Sequence, residues 1–521
     1  MQQPQPDSPR QRIEHDALGA VSVPADALYG AETARAVSWS FTRHRLPVPV
    51  VHALGQLKAA AARAHAVAGR LPAATARAIE RAALEVAEGR HDVEFVVDLF
   101  QTGSGTSSHM NANEVIANRA SELLGDKRGS GAVNAHDHVN LGQSSNDVIP
   151  SAIRLAAIAL GEQRLLPALD RLAATLHDLA DRHWSDLRNG RTHLMAAMPI
   201  RFGQQFRGMA ERVQANAARL AASVDACREL PLGGTAVGTG VTCPPGFATA
   251  VCAELSALFG LRVHETPRHL SAQGSLGALA ALSADLRCAA AAYYKLVNDV
   301  RWQASDALRE VELPNMQPGS SIMVGKVNPV VCEAVLMACA QVLGNDTVVA
   351  FAESQGQFEL NTMLPIVAHN IIESIELLAG AAAALDQHVL QGLRVRAEAA
   401  TNVARNPILA TALIAELGHA RAVEIARDAV QRGAPVLEAA RSTGLPEATL
   451  RQLLDAERLC GEFGRERGDD TMSPRDDAQS ERNGRLSHRS VRRVDGNGLL
   501  SLWSGRRPVT APALHFGTCR I

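Results

Sequence analysis

The stretch Gly319-Ser-Ser-Ile-Met-Val-Gly-Lys-Val-Asn-Pro329 decides how this 521-residue chain reads. Two glycines, two serines and one lysine make a loop that can bend and close over an anion. The loop interrupts apolar-periodic sequence at about 271–303 before it and 330–352 after it. Working outward, three more such stretches run at about 151–183, 203–229 and 364–393. Each predicts a helix of several turns at about 3.6 residues per turn. Upstream, Leu54–Ala68 and Ala73–Glu88 are Ala-rich helical segments separated by Gly69–Pro72 and closed by Gly89, and residues 13–48 read as loops and short strands. Small residues, few aromatics and long helices predict a mainly all-α chain built on a tightly packed bundle. The helices shorten after Asn406-Pro407 and break at Pro435 and at Gly444-Leu-Pro446. This divides the chain into a mixed loop and helix segment at 1–142, a central long-helix bundle at 143–396, a small helical C-terminal domain at 397–463, and a polar, disordered tail at 464–521.

Composition narrows the function classes. The chain is 46% hydrophobic and 20% charged, enough to bury a large core, and its formal charge of −2 argues against a general nucleic-acid binder. The eight cysteines (Cys227, Cys243, Cys252, Cys288, Cys332, Cys339, Cys460 and Cys519) contain no C-x-x-C pair. They read as free thiols of a reducing compartment rather than a disulfide scaffold or a metal centre. The polar Met1–Arg12 segment lacks the apolar core of a secretory signal. Apolar stretches such as Leu377–Leu385 read as too short to span a bilayer, so a cytoplasmic location is expected.

Four polar, Gly-punctuated clusters interrupt the apolar pattern. They are Gly103-Ser-Gly-Thr-Ser-Ser-His-Met-Asn-Ala-Asn-Glu114, Asp137–Asn140 with Gln143-Ser-Ser-Asn-Asp147, Gly190-Arg-Thr-His193, and the 319–329 loop with Glu333 beyond it. Any one of them could be a set of helix caps. Together they supply hydroxyl, amide and backbone N–H donors suited to carboxylates. Lys326 stands out because the chain has only four lysines (Lys58, Lys127, Lys295 and Lys326) against 48 arginines. His136 and His138 lack a third ligand at zinc-site spacing, so neither a metal nor another cofactor is expected.

These clusters carry a resemblance. The 319–329 loop is similar to the GSSIMPGKVNP signature of the aspartase/fumarase superfamily, and the chain looks like a class II fumarase over about residues 12–460. Further matches are Arg12-Ile-Glu-His-Asp16, Val23-Pro-Ala-Asp26, Tyr29-Gly-Ala-Glu-Thr33, Asn111–Ala120, Gly233-Gly-Thr-Ala-Val-Gly-Thr-Gly240 and Gln355-Gly-Gln-Phe-Glu-Leu-Asn361. The resemblance implies a three-domain fold and a homotetramer whose active sites draw on three chains. It also implies metal-independent, reversible elimination of water from L-malate to give fumarate. By the same resemblance Ser320 is the base that takes the proton. His193, paired with Glu333, handles the leaving hydroxyl, and Lys326 and Asn328 bind the carboxylate that becomes a dianion. Ser104, Gly105, Thr106, Ser144, Ser145, Asn146, Thr192, Ser321 and Val327 match substrate-binding positions. Loop N–H groups and Lys326 are expected to support a Ser320 alkoxide.

The chain departs from the family pattern in places. Val324 replaces the loop proline, and Ser107 a residue that is often Gln. Arg268-His-Leu-Ser271 replaces the usual Asn-Lys-Phe-Glu, and 305–318 is shorter than usual. Asn134-Ala-His-Asp137 keeps only part of a second-site motif, so no accessory site is carried over. Ser144-Ser-Asn-Asp147 favours a hydratase over the runner-up, an ammonia-lyase for aspartate or another amino-substituted succinate. A non-catalytic paralogue would be signalled by loss of Ser320, Lys326, His193 or Glu333, and all four are present.

Overall fold

Helices form where the apolar stretches run, and loops form where glycine and proline interrupt them. A computed structural model describes residues 10–461, so the tail expected at 464–521 lies outside the described residues. A small hairpin opens the described chain, β1 (Gln11–Asp16) with β2 (Gly19–Pro24). Then come α1 (Ala31–Val37), α2 (Val48–Val67), α3 (Ala73–Ala87), α4 (Thr106–Leu123), α5 (Ser145–Leu160) and α6 (Leu166–Arg182). A second hairpin, β3 (Leu187–Thr192) with β4 (Met195–Arg201), leads into α7 (Phe202–Ala226), α8 (Phe247–Phe259), α9 (His269–Gly274), α10 (Gly277–Ala304), α11 (Val330–Glu353) and α12 (Leu364–Leu385). Every sheet among the described residues has only two strands, so the chain is mainly α-helical.

The bundle packs α6 on α7, α7 on α10, α10 on α11, α11 on α12 and α12 back on α6. Its core is continuous from Leu28 to Ala399, and residues 409–450 hold a separate small cluster around Leu413, Ile425 and Leu450. Alanine does the close packing in the first half. Ala59, Ala60, Ala61 and Ala62 are all buried on α2. Where α2 meets α3, a Cβ on Gly55 would lie 2.6 Å from the backbone nitrogen of Ala87, so a larger side chain would push the helices apart.

Two features differ from the sequence expectations. Residues 31–37 form a helix where loop and strand were expected. Its N-terminus is held by the buried Glu114 of α4, which accepts N–H groups of Gly30, Glu32 and Thr33 at 2.9, 2.8 and 3.1 Å. That partner is about eighty residues away, beyond any local pattern. The apolar stretches are also longer than expected: Val330–Glu353 and Leu364–Leu390 are long and apolar enough, by length and composition alone, to cross a membrane. In the fold α12 is largely core. α11 buries one face through Cys332, Val335, Cys339, Val342 and Val349 and leaves Met337 and Phe351 exposed.

One buried charge ties the first half together. Lys58 of α2 is 1% exposed, and its Nζ meets His109 Nε2 of α4 at 2.8 Å, Gln143 Oε1 at 3.0 Å and Asn140 Oδ1 at 3.1 Å. Three acceptors satisfy the three N–H groups of an ammonium. Burial nevertheless pushes the lysine down to about 7, against the attraction of Asp147, and holds His109 well below its usual value. The unfolded chain keeps an ordinary lysine and therefore binds more protons above pH 7, so Lys58 makes the fold gain stability as pH rises through that window. From pH 7 to pH 9 the stability difference, wild type minus Lys58→Met, should shift towards the wild type by up to about 2 kcal/mol in denaturant titrations. A flat difference would mean that Lys58 titrates as an exposed lysine does.

Candidate active site

The first two polar clusters meet at two helix N-termini. Thr106 opens α4 and Ser145 opens α5, and their hydroxyls are 2.6 Å apart. Ser104 extends the chain of hydroxyls, its Oγ lying 2.8 Å from Thr106 Oγ1. The partial positive ends of two helices therefore share one hydroxyl-lined spot, an arrangement that favours an anion. Glycine permits the approach. Gly105 has φ +74°, and a Cβ on Gly103 would lie 1.7 Å from the Thr362 carbonyl oxygen, at the turn where Leu364 N–H bonds to Gly103 O.

The second cluster is braced from behind. Ser144 caps α5 reciprocally with Asp147: its hydroxyl accepts the Asn146 N–H at 3.3 Å, and its own N–H donates to Asp147 Oδ1 at 3.0 Å. Asp147 is fully buried and its Oδ2 also accepts N–H groups of Gly233 and Thr235, each at 3.0 Å. Asn146 Nδ2 donates to Ala236 O at 2.7 Å. The Gly233–Gly240 segment is thus docked on the start of α5. Burial raises the Asp147 carboxyl above its usual value, while these N–H donors and Lys58 act the other way. Sequence reading quoted Asp147 but gave it no role. The Ser144-x-x-Asp147 spacing of a capping box was the available signal, and for Lys58 the signal was a rare lysine inside an Ala-rich helix.

The third cluster sits on a hairpin tip. Thr192 pairs with Met195, leaving His193 and Leu194 as a two-residue turn with φ +53° and +61°. A tight hairpin needs positive φ at both positions, and neither residue is glycine, so the turn holds strain. The tip is solvent-facing, with Leu194 68% exposed. Its base is firm: Asn406 Nδ2 donates to Asn189 Oδ1 at 2.8 Å and to Ala197 O at 2.7 Å, and Arg191 pairs with the buried Glu310 at 2.7 Å.

The fourth cluster is a loop folded on itself. Asn328 Nδ2 donates to Gly319 O at 2.5 Å, and a Cβ on Gly319 would lie 2.2 Å from Lys326 O. Ser320 Oγ accepts the N–H groups of Met323 at 2.8 Å and Ile322 at 3.2 Å. Two donors aimed at a serine oxygen lower the cost of negative charge there. Ser321, Lys326 and Val327 face solvent, and Val324, where the family carries proline, is fully exposed.

A single chain does not join all four clusters. Ser104, Thr106 and Ser145 come together, with Ser144 and Asn146 beside them on α5. Among the described residues, no hydrogen bond or ion pair links them to Thr192, His193, Ser320, Lys326 or Glu333. The expected His193–Glu333 pair is likewise absent within one chain. His193 lies on the hairpin tip and Glu333 in the exposed first turn of α11, and neither side chain has a hydrogen-bond or ion-pair partner among the described residues. Lys326 makes no hydrogen bond to Ser320 there either.

Comparison with known proteins agrees with this architecture. A lyase family model matches residues 19–344, and a fumarase C C-terminus model matches residues 409–461. The chain is 44% identical over 458 residues to a class II fumarate hydratase of Xylella fastidiosa, covering 87% of this chain and 96% of that protein. It is 45% identical over 435 residues to the Pseudomonas putida class II fumarate hydratase, covering 82% and 94%. Among solved structures, the class II fumarase of Schistosoma mansoni superposes with a TM-score of 0.84 at 32% identity, covering 87% of this chain and 99% of that one. With matches of this extent across both halves of the fold, the chain belongs to the lyase family, within its class II fumarases.

Proposed function

We propose that the chain is a fumarate hydratase that eliminates water from L-malate and runs the reverse addition. The observation that carries this reading is Ser320, whose Oγ receives two backbone N–H groups in an exposed loop beside Lys326 and Asn328. Ser320 takes the proton from the carbon next to a carboxylate, and that carboxylate becomes an aci-dianion. Lys326 and Asn328 hold the dianion as its charge develops, with Ser321 and Val327 completing that side of the loop. His193, oriented by Glu333, delivers a proton to the departing hydroxyl through a water, and Thr192 beside it binds substrate. The hydroxyls of Ser104, Thr106, Ser144 and Ser145, the Asn146 amide and the backbone at Gly105 bind the other carboxylate at the paired helix ends. The route uses this chain's own groups, with no metal or cofactor as reactant.

The separation of the clusters in one chain supports a homotetramer with composite sites. The exposed apolar residues Met337 and Phe351 of α11, and Tyr294 and Trp302 of α10, supply faces for neighbouring chains. Within each chain the segments 1–142, 143–396 and 397–463 act as N-terminal, central and C-terminal domains. Free thiols suit a cytoplasmic enzyme, and the cysteines among the described residues form no disulfide.

Purified enzyme supplied with L-malate should release fumarate, read by ultraviolet absorbance, and should be silent with L-aspartate. Ser320→Ala should lower malate turnover about 10²–10⁴-fold without changing the far-ultraviolet circular dichroism. Turnover of aspartate alone would move the assignment to an ammonia-lyase. Lys326→Met should lower kcat about 10²–10³-fold, because the charge it meets is largest in the transition state. A change in KM alone would make Lys326 a ground-state anchor.

A further inference from the structure

A cavity of about 380 Å³ lies where α5, the segment after α7 and α9 meet, with the start of α10 beside it. Its polar lining is Arg154, Glu229, Arg268, Ser271 and Ser275. Arg154 is 5% exposed. One of its Nη atoms donates to the Glu229 carbonyl, while its Nε has no acceptor. Among the described residues no carboxylate forms an ion pair with it. Glu229, whose carboxylate attracts Arg154, is already engaged through its side chain by Thr266 Oγ1 at 2.5 Å and by Arg268 at 3.2 and 3.3 Å. A buried guanidinium without a direct carboxylate partner is costly, and an adjacent cavity gives an anion room to supply one. Two arginines against one glutamate leave the cavity a single net positive charge.

Ser271 offers the cavity a hydroxyl, and Arg268 reaches it with a side chain that is mostly exposed. A carboxylate presents two oxygens to a guanidinium fork and can pair with it through two parallel N–H···O bonds.

We propose that this cavity binds a small carboxylate, clasped by Arg154 and Arg268 and accepting the Ser271 hydroxyl proton, at a site distinct from the substrate-binding hydroxyls. Arg154 lies nine residues beyond Ser145 on α5, roughly 14 Å along the helix. The site does not depend on the reaction proposed above.

Calorimetric titration of the full-length protein with succinate at neutral pH tests it. Two classes of site are expected, one of them weakened about 30-fold or more in Arg154→Gln. Ser271→Glu should supply an internal carboxylate, abolish the same class of site and raise the ligand-free Tm, and it carries the test should Arg154→Gln fail to fold. Malate turnover, measured in parallel, reports separately on the substrate site. A single class of site that Arg154→Gln leaves intact would overturn the proposal, as when a neighbouring chain's carboxylate already pairs with Arg154. Survival of both classes in Arg154→Gln, or binding of inorganic phosphate but not succinate at this site, would overturn it too.

Discussion

The buried carboxylate of Asp147 is the contact on which the paired helix ends depend. Its two oxygens hold the N–H of Ser144, at the start of its own helix, and the N–H groups of Gly233 and Thr235, from a segment about ninety residues on. Those three bonds fix where α5 begins, and so where Ser144, Ser145 and Asn146 stand. An unsatisfied carboxylate in so dry a place would be expensive, which makes the arrangement all-or-nothing. Lys58 reaches the same region from below and clamps His109 of α4 against Asn140 and Gln143. The two helix ends thereby come close enough for Thr106 and Ser145 to share a hydrogen bond.

The remaining groups follow a different physical logic. His193 rides a strained hairpin tip, and Ser320 an exposed loop closed only on itself. Rigid scaffolding stops short of both: Asn189, Asn406, Arg191 and Glu310 brace the hairpin base, and Asn328 braces the loop ends. The single chain keeps these polar groups apart, and α10 and α11 leave apolar residues exposed. On the reading proposed above, association buries those faces and completes the site in one event.

Much of this was legible in the sequence. The five long helical stretches stand out because apolar residues recur at helical spacing. The four polar clusters stand out because they break that pattern. The roles of Lys58 and Asp147 were hidden, since a lysine among alanines reads as a surface residue until three acceptors from other segments surround it. The helix at Ala31–Val37 escaped for the same reason: Glu114, its cap, comes from another helix. The His193–Glu333 pairing was inferred by resemblance, and the single chain keeps the two apart. On the composite-site reading, sequence names the members without saying which chain donates each.

The most direct test of a shared site mixes two variants, each lacking one distant member. Ser320→Ala and His193→Asn chains, inactive when pure, would be dissociated, mixed in equal amounts and reassembled. If the two groups come from different chains, roughly a quarter of the sites in the mixture regain both, and malate turnover returns to that fraction of wild type. A mixture as inactive as its parents would mean that Ser320 and His193 act from the same chain, and would contradict the account.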